Sequence, residues 1–147
     1  MISLIRCDSD SKDFCELIEL LDSEIQHRDG NIYNGLNVIP FIDTVVIVKD
    51  NNFSIGCGCI KKYNDYTVEI KRMYVRREYR SQGIGKKILL ELEKWAKELD
   101  YSKAILQTGS KHIEAIGLYN SYGYNRIDNY GQYIGTSDSI CFEKILI

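Results

Sequence analysis

Proline is almost missing from the 147 residues: Pro40 is the only one, and it stands in a connection ahead of a valine-rich stretch. No clean apolar run exceeds Val45 to Val48, far too short to span a bilayer. The start, Met1 to Asp10, has no charged region followed by a sustained apolar stretch, so no secretory leader is expected. The five cysteines (Cys7, Cys15, Cys57, Cys59 and Cys141) contain no Cys-x-x-Cys pair, and their number is odd. Cys57-Gly58-Cys59 puts two thiols on one strand face, a spacing that suits neither a strain-free disulfide nor a zinc ribbon. They read as small apolar side chains of a reducing cytoplasm, with no metal expected. Internal repeats, low-complexity tracts and linkers are also missing, which predicts a single domain over residues 1–147. A formal net charge of −2 argues against a coat for nucleic acid, and no membrane partner is expected.

What is present is local. Seven of the 19 Lys and Arg residues (Lys71, Arg72, Arg76, Arg77, Arg80, Lys86, Lys87) fall between Lys71 and Lys87, against the single acid Glu78. Inside that stretch lies Arg80-Ser81-Gln82-Gly83-Ile84-Gly85-Lys86, with strand-like residues before it and a helical pattern after it. Two glycines at a strand-to-helix turn let backbone N–H groups close on a ligand. The helix start adds unpaired donors and a positive dipole end, which together make an anion site. The charge and the turn together predict a phosphate-bearing ligand.

Around that turn the periodicity predicts a helix over Ser11 to His27, carried by Phe14, Leu17, Ile18, Leu21 and Ile25. Chain breaks follow at Asp29-Gly30-Asn31 and Asn34-Gly35. Strands are expected at Thr44–Lys49, Ser54–Lys62 and Thr67–Val75, joined by short polar turns as an antiparallel meander. Ile88, Leu92, Trp95 and Leu99, widened by Leu89 and Ala96, mark a second helix. A strand at Lys103–Thr108, a helix at Ile113–Tyr122 and a covered strand at Ser139–Ile147 complete the chain. Strand, helix, strand from Thr67 to Thr108 is the unit that makes a parallel pair through a right-handed crossover.

A Gly-x-Gly turn alone is shared by several phosphate-binding folds. Here it lacks the Gly-Lys-Ser/Thr ending, and an antiparallel meander precedes it. The pattern Arg80-x-x-Gly83-x-Gly85, after a strand ending Arg72-Met73-Tyr74-Val75, is followed by Ala115-Ile116-Gly117-Leu118-Tyr119-Asn120-Ser121-Tyr122-Gly123-Tyr124. In that order and spacing the two segments resemble the GNAT superfamily of acetyl-CoA-dependent N-acetyltransferases. Glu69 to Val75, Leu106-Gln107-Thr108-Gly109 and Asn129-Tyr130-Gly131-Gln132-Tyr133 extend the resemblance to a group of small, mostly bacterial members. The fold so implied is α/β (α+β), with a mixed, mostly antiparallel sheet, a splayed parallel strand pair and helices on both faces.

The resemblance implies acetyl-CoA as cosubstrate. Its pantetheine arm would bond to backbone groups of Met73, Tyr74 and Val75, and its pyrophosphate to the turn formed by Arg80, Ser81, Gln82, Gly83, Ile84, Gly85 and Lys86. His112 and Ala115 would flank the cofactor at the start of the third helix. Glu69 matches the strand glutamate that serves many members as base, and Tyr119 the tyrosine that faces the sulfur as acid. The sequence departs from the family in three places. Ser81 stands where glycine is usual, His112 where Asn or Gln is frequent, and Gln107 where Glu is frequent.

The reaction implied is acetyl transfer to a primary amine of a small molecule or peptide, by direct attack with both substrates bound. Residues 1–30 hold eight acids (Asp8, Asp10, Asp13, Glu16, Glu19, Asp22, Glu24, Asp29) against three bases. Since the first helix walls the acceptor site in this family, that acidity would suit a cationic amine, with Glu24, His27 and Asp29 nearest the following loop. The alternative is a CoA-binding sensor without catalysis. A monomer or a homodimer would be equally consistent.

Overall fold

Alternating β-branched residues build most of the molecule. The valine run becomes strand β2 (Val45–Asp50), flanked by β1 (Ile2–Cys7) and β3 (Phe53–Lys62). Helix α1 (Lys12–Asp29) lies between β1 and β2 in the chain, and β4 (Thr67–Val75) follows β3. Then come α2 (Ile84–Glu98), β5 (Lys103–Gly109), α3 (Ile113–Ser121), β6 (Asn125–Ile127) and β7 (Ser139–Ile145). The structure, a computed structural model, describes residues 1–29 and 40–147, without the side chains of 26–29. The Asn34-Gly35 break and the side chains of His27 and Asp29 therefore lie outside the described residues.

Hydrogen bonds order the strands β1-β2-β3-β4-β5-β7-β6. The sheet is mostly antiparallel, with one parallel pair, β4 with β5, running from Thr67↔Lys103 to Ile70↔Leu106. The expected meander and crossover are both present. β7 lies between β5 and β6, which gives the last strand the covered position expected for it. Two strands are not expected from the sequence: β1, which pairs antiparallel with β2, and the three-residue β6, which pairs with β7. The second helix stops at Glu98, and Leu99, counted in its stripe, is about half exposed. No helix among the described residues is long and apolar enough to cross a membrane.

The chain forms two compact units, described in turn. The first comprises residues 1–59 and 72–92. Ser11 caps α1, its Oγ accepting the Phe14 amide at 3.3 Å. The apolar stripe of the helix, led by Phe14 and Leu17, packs on Val45, Ile47, Cys57 and Cys59. Burial of Phe14 and Leu17 contributes roughly 1.5–3 kcal/mol each. The opposite face of β3 carries Gly56 and Gly58. A Cβ on Gly58 would stand 2.8 Å from Ile88 and 3.0 Å from Leu92, both on α2. Only glycine lets that helix come so close, so α1 and α2 cover opposite faces of β3.

The second unit comprises residues 60–71 and 93–147. Ala104, Ile105 and Leu106 of β5 are buried, as are Cys141 and Phe142 of β7. Tyr124 donates a 2.8 Å hydrogen bond to buried Glu93, whose other oxygen takes the Lys144 ammonium at 2.8 Å. None of the five cysteines is in a disulfide. Cys57, Cys59 and Cys141 are buried as expected, but Cys15 is exposed and Cys7 half-buried. Burial pushes the Cys57 thiol well above its ordinary range.

Candidate active site

In the first unit, β4 ends at Val75 and a single tight turn at Arg77–Tyr79 leads into the glycine segment. Ser81 and Gly83 both take left-handed backbone angles, with φ of +64° and +80°. Helix α2 then starts at Ile84, which is buried and fixes the helix end in place. Its first ladder bond runs from the Lys87 amide to the Gly83 carbonyl at 3.1 Å. Gly83 is thus the N-cap, and a glycine offers no side-chain oxygen to the amides above it. The first turn holds no acid either. By helix geometry the amides of Gly83, Ile84, Gly85 and Lys86 have no acceptor within the helix, and they form its positive dipole end. Ser81, Gln82 and Lys86 are exposed around them. Main-chain donors of this kind suit an anion.

The basic cluster behaves differently from the sequence expectation. Five of its seven members lie against carboxylates. Arg72 reaches Asp22 at 2.9 Å, Arg76 reaches Glu16 at 3.2 Å, and Arg77 reaches Glu24 at 3.8 Å. Arg80 meets Glu24 through a two-pronged contact at 2.8 Å per bond, and Lys71 lies 3.7 Å from Glu69. The charge at Arg72, Arg76, Arg77 and Arg80 therefore ties the strand and turn to α1. Three acids of α1, Glu16, Asp22 and Glu24, are used in this way. Lys86 and Lys87, exposed on the first turn of α2, are the cluster members placed at the helix start.

Of the strand residues assigned to the pantetheine arm, Tyr74 is buried in the α1 cluster. Met73 packs under Gly58, and the Val75 carbonyl accepts the Arg80 Nε–H at 2.9 Å. Arg72, just before them, sits at φ +59°, a left-handed residue inside a strand. Such a conformation costs an L-residue roughly 1–2 kcal/mol. Its carbonyl accepts the Cys57 thiol and its guanidinium is held by Asp22, contacts that offset the strain.

In the second unit, Glu69 shares its strand face with Lys71, as the alternation predicts. Its Oε2 accepts a 2.6 Å hydrogen bond from the Tyr130 hydroxyl. The Tyr130 ring stands edge-on to Tyr63 at 5.5 Å and to Tyr133 at 5.6 Å. Asn129 braces the loop by donating to the carbonyls of Tyr133 and Thr136. Burial, then the hydrogen bond and charge of Glu69, push the Tyr130 phenol far above its ordinary range. The sequence reading gives Tyr130 no role, because eleven tyrosines offer no reason to choose it. Its setting between the turn-forming Asn129 and Gly131 is the one local signal.

Tyr119 lies on α3, 5% exposed, edge-on to Tyr124 at 5.7 Å and beside Phe142 at 5.9 Å. Burial alone keeps its phenol protonated well past the usual range. Its hydroxyl makes no hydrogen bond with the described residues, so the donor is available to a ligand. Glu69 and Tyr119 share no hydrogen bond. His112 precedes α3 as its N-cap residue without a side-chain cap bond, and its Nδ1 lies 3.4 Å from the Thr108 hydroxyl. Ala115 is half-buried on the first turn of that helix.

The family model for the acetyltransferase (GNAT) family matches residues 12–124, more than half of the chain. The chain belongs to the GNAT family. An N-acetyltransferase of Schizosaccharomyces pombe, itself uncharacterized, is 25% identical over 138 residues, covering 88% of this chain and 85% of its own. Among solved structures, a Klebsiella pneumoniae protein described as an acyl-CoA N-acyltransferase superposes with a TM-score of 0.85. It is 26% identical, with 100% of this chain and 99% of that one covered. A GNAT acetyltransferase of Elizabethkingia anophelis, solved with acetyl-CoA bound, gives 0.73 at 23% identity, with 99% and 98% covered. Membership in the GNAT family makes the chain an acetyl-CoA-dependent acetyltransferase, with the mixed sheet and single parallel pair found above.

Proposed function

We propose that this GNAT protein transfers an acetyl group from acetyl-CoA to a primary amine by direct attack, with both substrates bound together. The observation that carries the reading is the start of α2: a glycine N-cap, no acid in the first turn, and exposed Lys86 and Lys87 beside it. That main-chain site fits a diphosphate. The pyrophosphate of acetyl-CoA would be held by amides from Ser81 to Lys86, and its pantetheine arm by backbone of Met73 to Val75. The Elizabethkingia anophelis neighbour, which binds acetyl-CoA on the same fold, supports this.

When bound, acetyl-CoA supplies an activated acyl group and a thiolate leaving group. The residues of the chain manage protons. An alkylamine with a pKa near 10.4 is almost wholly protonated at pH 7, and presenting it neutral costs about 4–5 kcal/mol. A thiol near 8.5 leaves with far less help. Removing the proton from the amine is the harder task, and Glu69 is the base proposed for it, directly or through water. Tyr119, protonated and with its hydroxyl uncommitted, is the acid proposed for sulfur. Such groups typically contribute roughly 10²–10⁴-fold each.

Calorimetric titration with acetyl-CoA and with CoA, followed by release of free thiol across a panel of primary amines, tests the reading. Binding of both, and thiol release that depends on an amine, are expected. No heat and no thermal stabilisation with either nucleotide would overturn it.

A further inference from the structure

We infer that Glu24 of α1 is a positioning residue for the cofactor turn, acting through Arg80. The inference rests on the proposed acetyl-CoA site. Arg80 opens the glycine segment, and three of its donors are already directed inside the protein. Nε–H goes to the Val75 carbonyl at 2.9 Å, while Nη1 and Nη2 go to the two oxygens of Glu24 at 2.8 Å each. A parallel pair of this kind fixes the guanidinium plane as well as its distance. The Glu24 side chain is only 13% exposed, so solvent screens the pair weakly.

The packing around the pair has the same directionality. The Arg80 guanidinium lies 5.5 Å over the ring of Tyr74, a side chain that also feels the charge of Glu24. Burial and then the Glu24 carboxylate push that phenol up, so it stays neutral beside the pair. Arg77 approaches the same carboxylate at 3.8 Å. One acid on α1 thus gathers the end of β4, the tight turn and the first residue of the glycine segment. Immediately beyond Arg80 come Ser81 at φ +64° and Gly83 at φ +80°, two conformations that a loose turn would abandon. Arg80 is engaged away from the helix start, so its part is to hold the amides of residues 81–86 in place rather than to touch phosphate.

A competing account gives Glu24 a purely electrostatic effect: a carboxylate beside an anion site repels phosphate. The two accounts differ in sign. Glu24→Gln keeps the shape, removes one negative charge and breaks the charged pair. Positioning predicts weaker acetyl-CoA binding, by about tenfold, within the range for directly coupled neighbours. Repulsion predicts tighter binding. A cycle of Glu24→Ala, Arg80→Ala and the double variant is expected to be non-additive, the double binding acetyl-CoA no more weakly than Arg80→Ala alone. At saturating acetyl-CoA, Glu24→Gln should turn over amines at the wild-type rate, with the loss confined to KM for acetyl-CoA. Thermal melting of each variant confirms that it is folded.

Tighter binding by Glu24→Gln, strict additivity in the cycle, or a fall in kcat with KM unchanged would each overturn the role of Glu24 and leave the acetyl-CoA site standing. Wild-type protein that binds no acetyl-CoA would remove the site and this inference together.

Discussion

The Tyr130 hydroxyl donates to Glu69 Oε2 at 2.6 Å, and Lys71 stands 3.7 Å from the other oxygen. The proposed base is therefore held by an aromatic donor on the β6–β7 loop, 61 residues further along the chain. A base matters most for an acceptor that arrives protonated, which must lose a proton before attack as well as after it. Glu69→Gln should lower kcat/KM for a primary alkylamine by roughly 10²-fold or more. Tyr130→Phe should produce a smaller loss of the same kind. Both changes should matter far less for an aromatic amine, which is already neutral at pH 7 and loses only the acidic proton that attack leaves on nitrogen. Equal losses with both amines would mark a structural effect, and no loss in Glu69→Gln with the alkylamine would remove Glu69 as base.

Tyr119 tests the other proton. Its ring is fixed by Tyr124 and Phe142, and replacing the hydroxyl by hydrogen removes no hydrogen bond among the described residues. Tyr119→Phe should thus fold normally and keep its affinity for acetyl-CoA. Its kcat should fall by at least tenfold, given typical contributions of roughly 10²–10⁴ for a general acid. Steady-state rates at saturating substrates decide it, and unchanged turnover would take Tyr119 out of the mechanism.

The turn itself can be probed through its two left-handed residues. Ser81 adopts φ +64°, where an L-residue is strained by roughly 1–2 kcal/mol, and the family usually has glycine there. Ser81→Gly should relieve that strain, less about 0.4–1 kcal/mol for the freer unfolded chain. The net expectation is a small gain in melting temperature with acetyl-CoA affinity retained. Gly83 is the contrasting case. Nothing lies within 4 Å of a Cβ placed there, so Gly83→Val acts only through its φ of +80°. A β-branched residue resists that angle, and loss of the N-cap geometry should weaken acetyl-CoA binding about tenfold, as expected for tightly coupled groups. Calorimetry should therefore separate the two variants, and equal affinities would show that the turn geometry is not what holds the ligand.

How far the site was legible follows from the separation of its parts in the chain. The glycine turn and the helix after it are local, so residues 80–86 and the stripe from Ile88 announced them. The parallel pair was legible because one crossover helix joins its strands. The pairing of α1 acids with the cationic stretch was not, because Asp22 and Arg72, Glu16 and Arg76, and Glu24 and Arg80 are 50, 60 and 56 residues apart. Each charge run read alone suggests a ligand of opposite sign, and the fold sets Glu16, Asp22 and Glu24 against Arg72, Arg76, Arg77 and Arg80. β1 carries no legible period, because Leu4 and Ile5 break its alternation and both stay partly exposed on the sheet edge. β6 has only three residues, too few for any period to show.

Three phenols, buried at Tyr119 and Tyr124 and half-buried at Tyr130, are expected to govern stability at alkaline pH. Tyr119, Tyr124 and Tyr130 are all pushed above the ordinary value of 10.0, by burial first, and for Tyr124 and Tyr130 also by a neighbouring carboxylate. Cys57 is raised above 9.0 by burial. In each case the neutral form is favoured in the folded protein, so that protein binds more protons than the unfolded chain once the pH passes the unfolded value. Their contribution is complete below about pH 9 and declines as pH rises, Cys57 first and the tyrosines above about pH 10. Each group that is still protonated only in the fold adds a slope of about 1.4 kcal/mol per pH unit. Tyr119→Phe removes one such group without losing a hydrogen bond, so its unfolding free energy should match wild type at pH 7 and fall less steeply above pH 10. Tyr124→Phe should share the shallower slope but start lower at pH 7, because it strips a donor from buried Glu93, at a cost of about 1.5–3 kcal/mol for a bond to a charged group. Urea unfolding at pH 7, 9, 10 and 11 separates these effects, and a wild-type stability that stays level from pH 9 to 11 would show that the phenols are not held neutral by the fold.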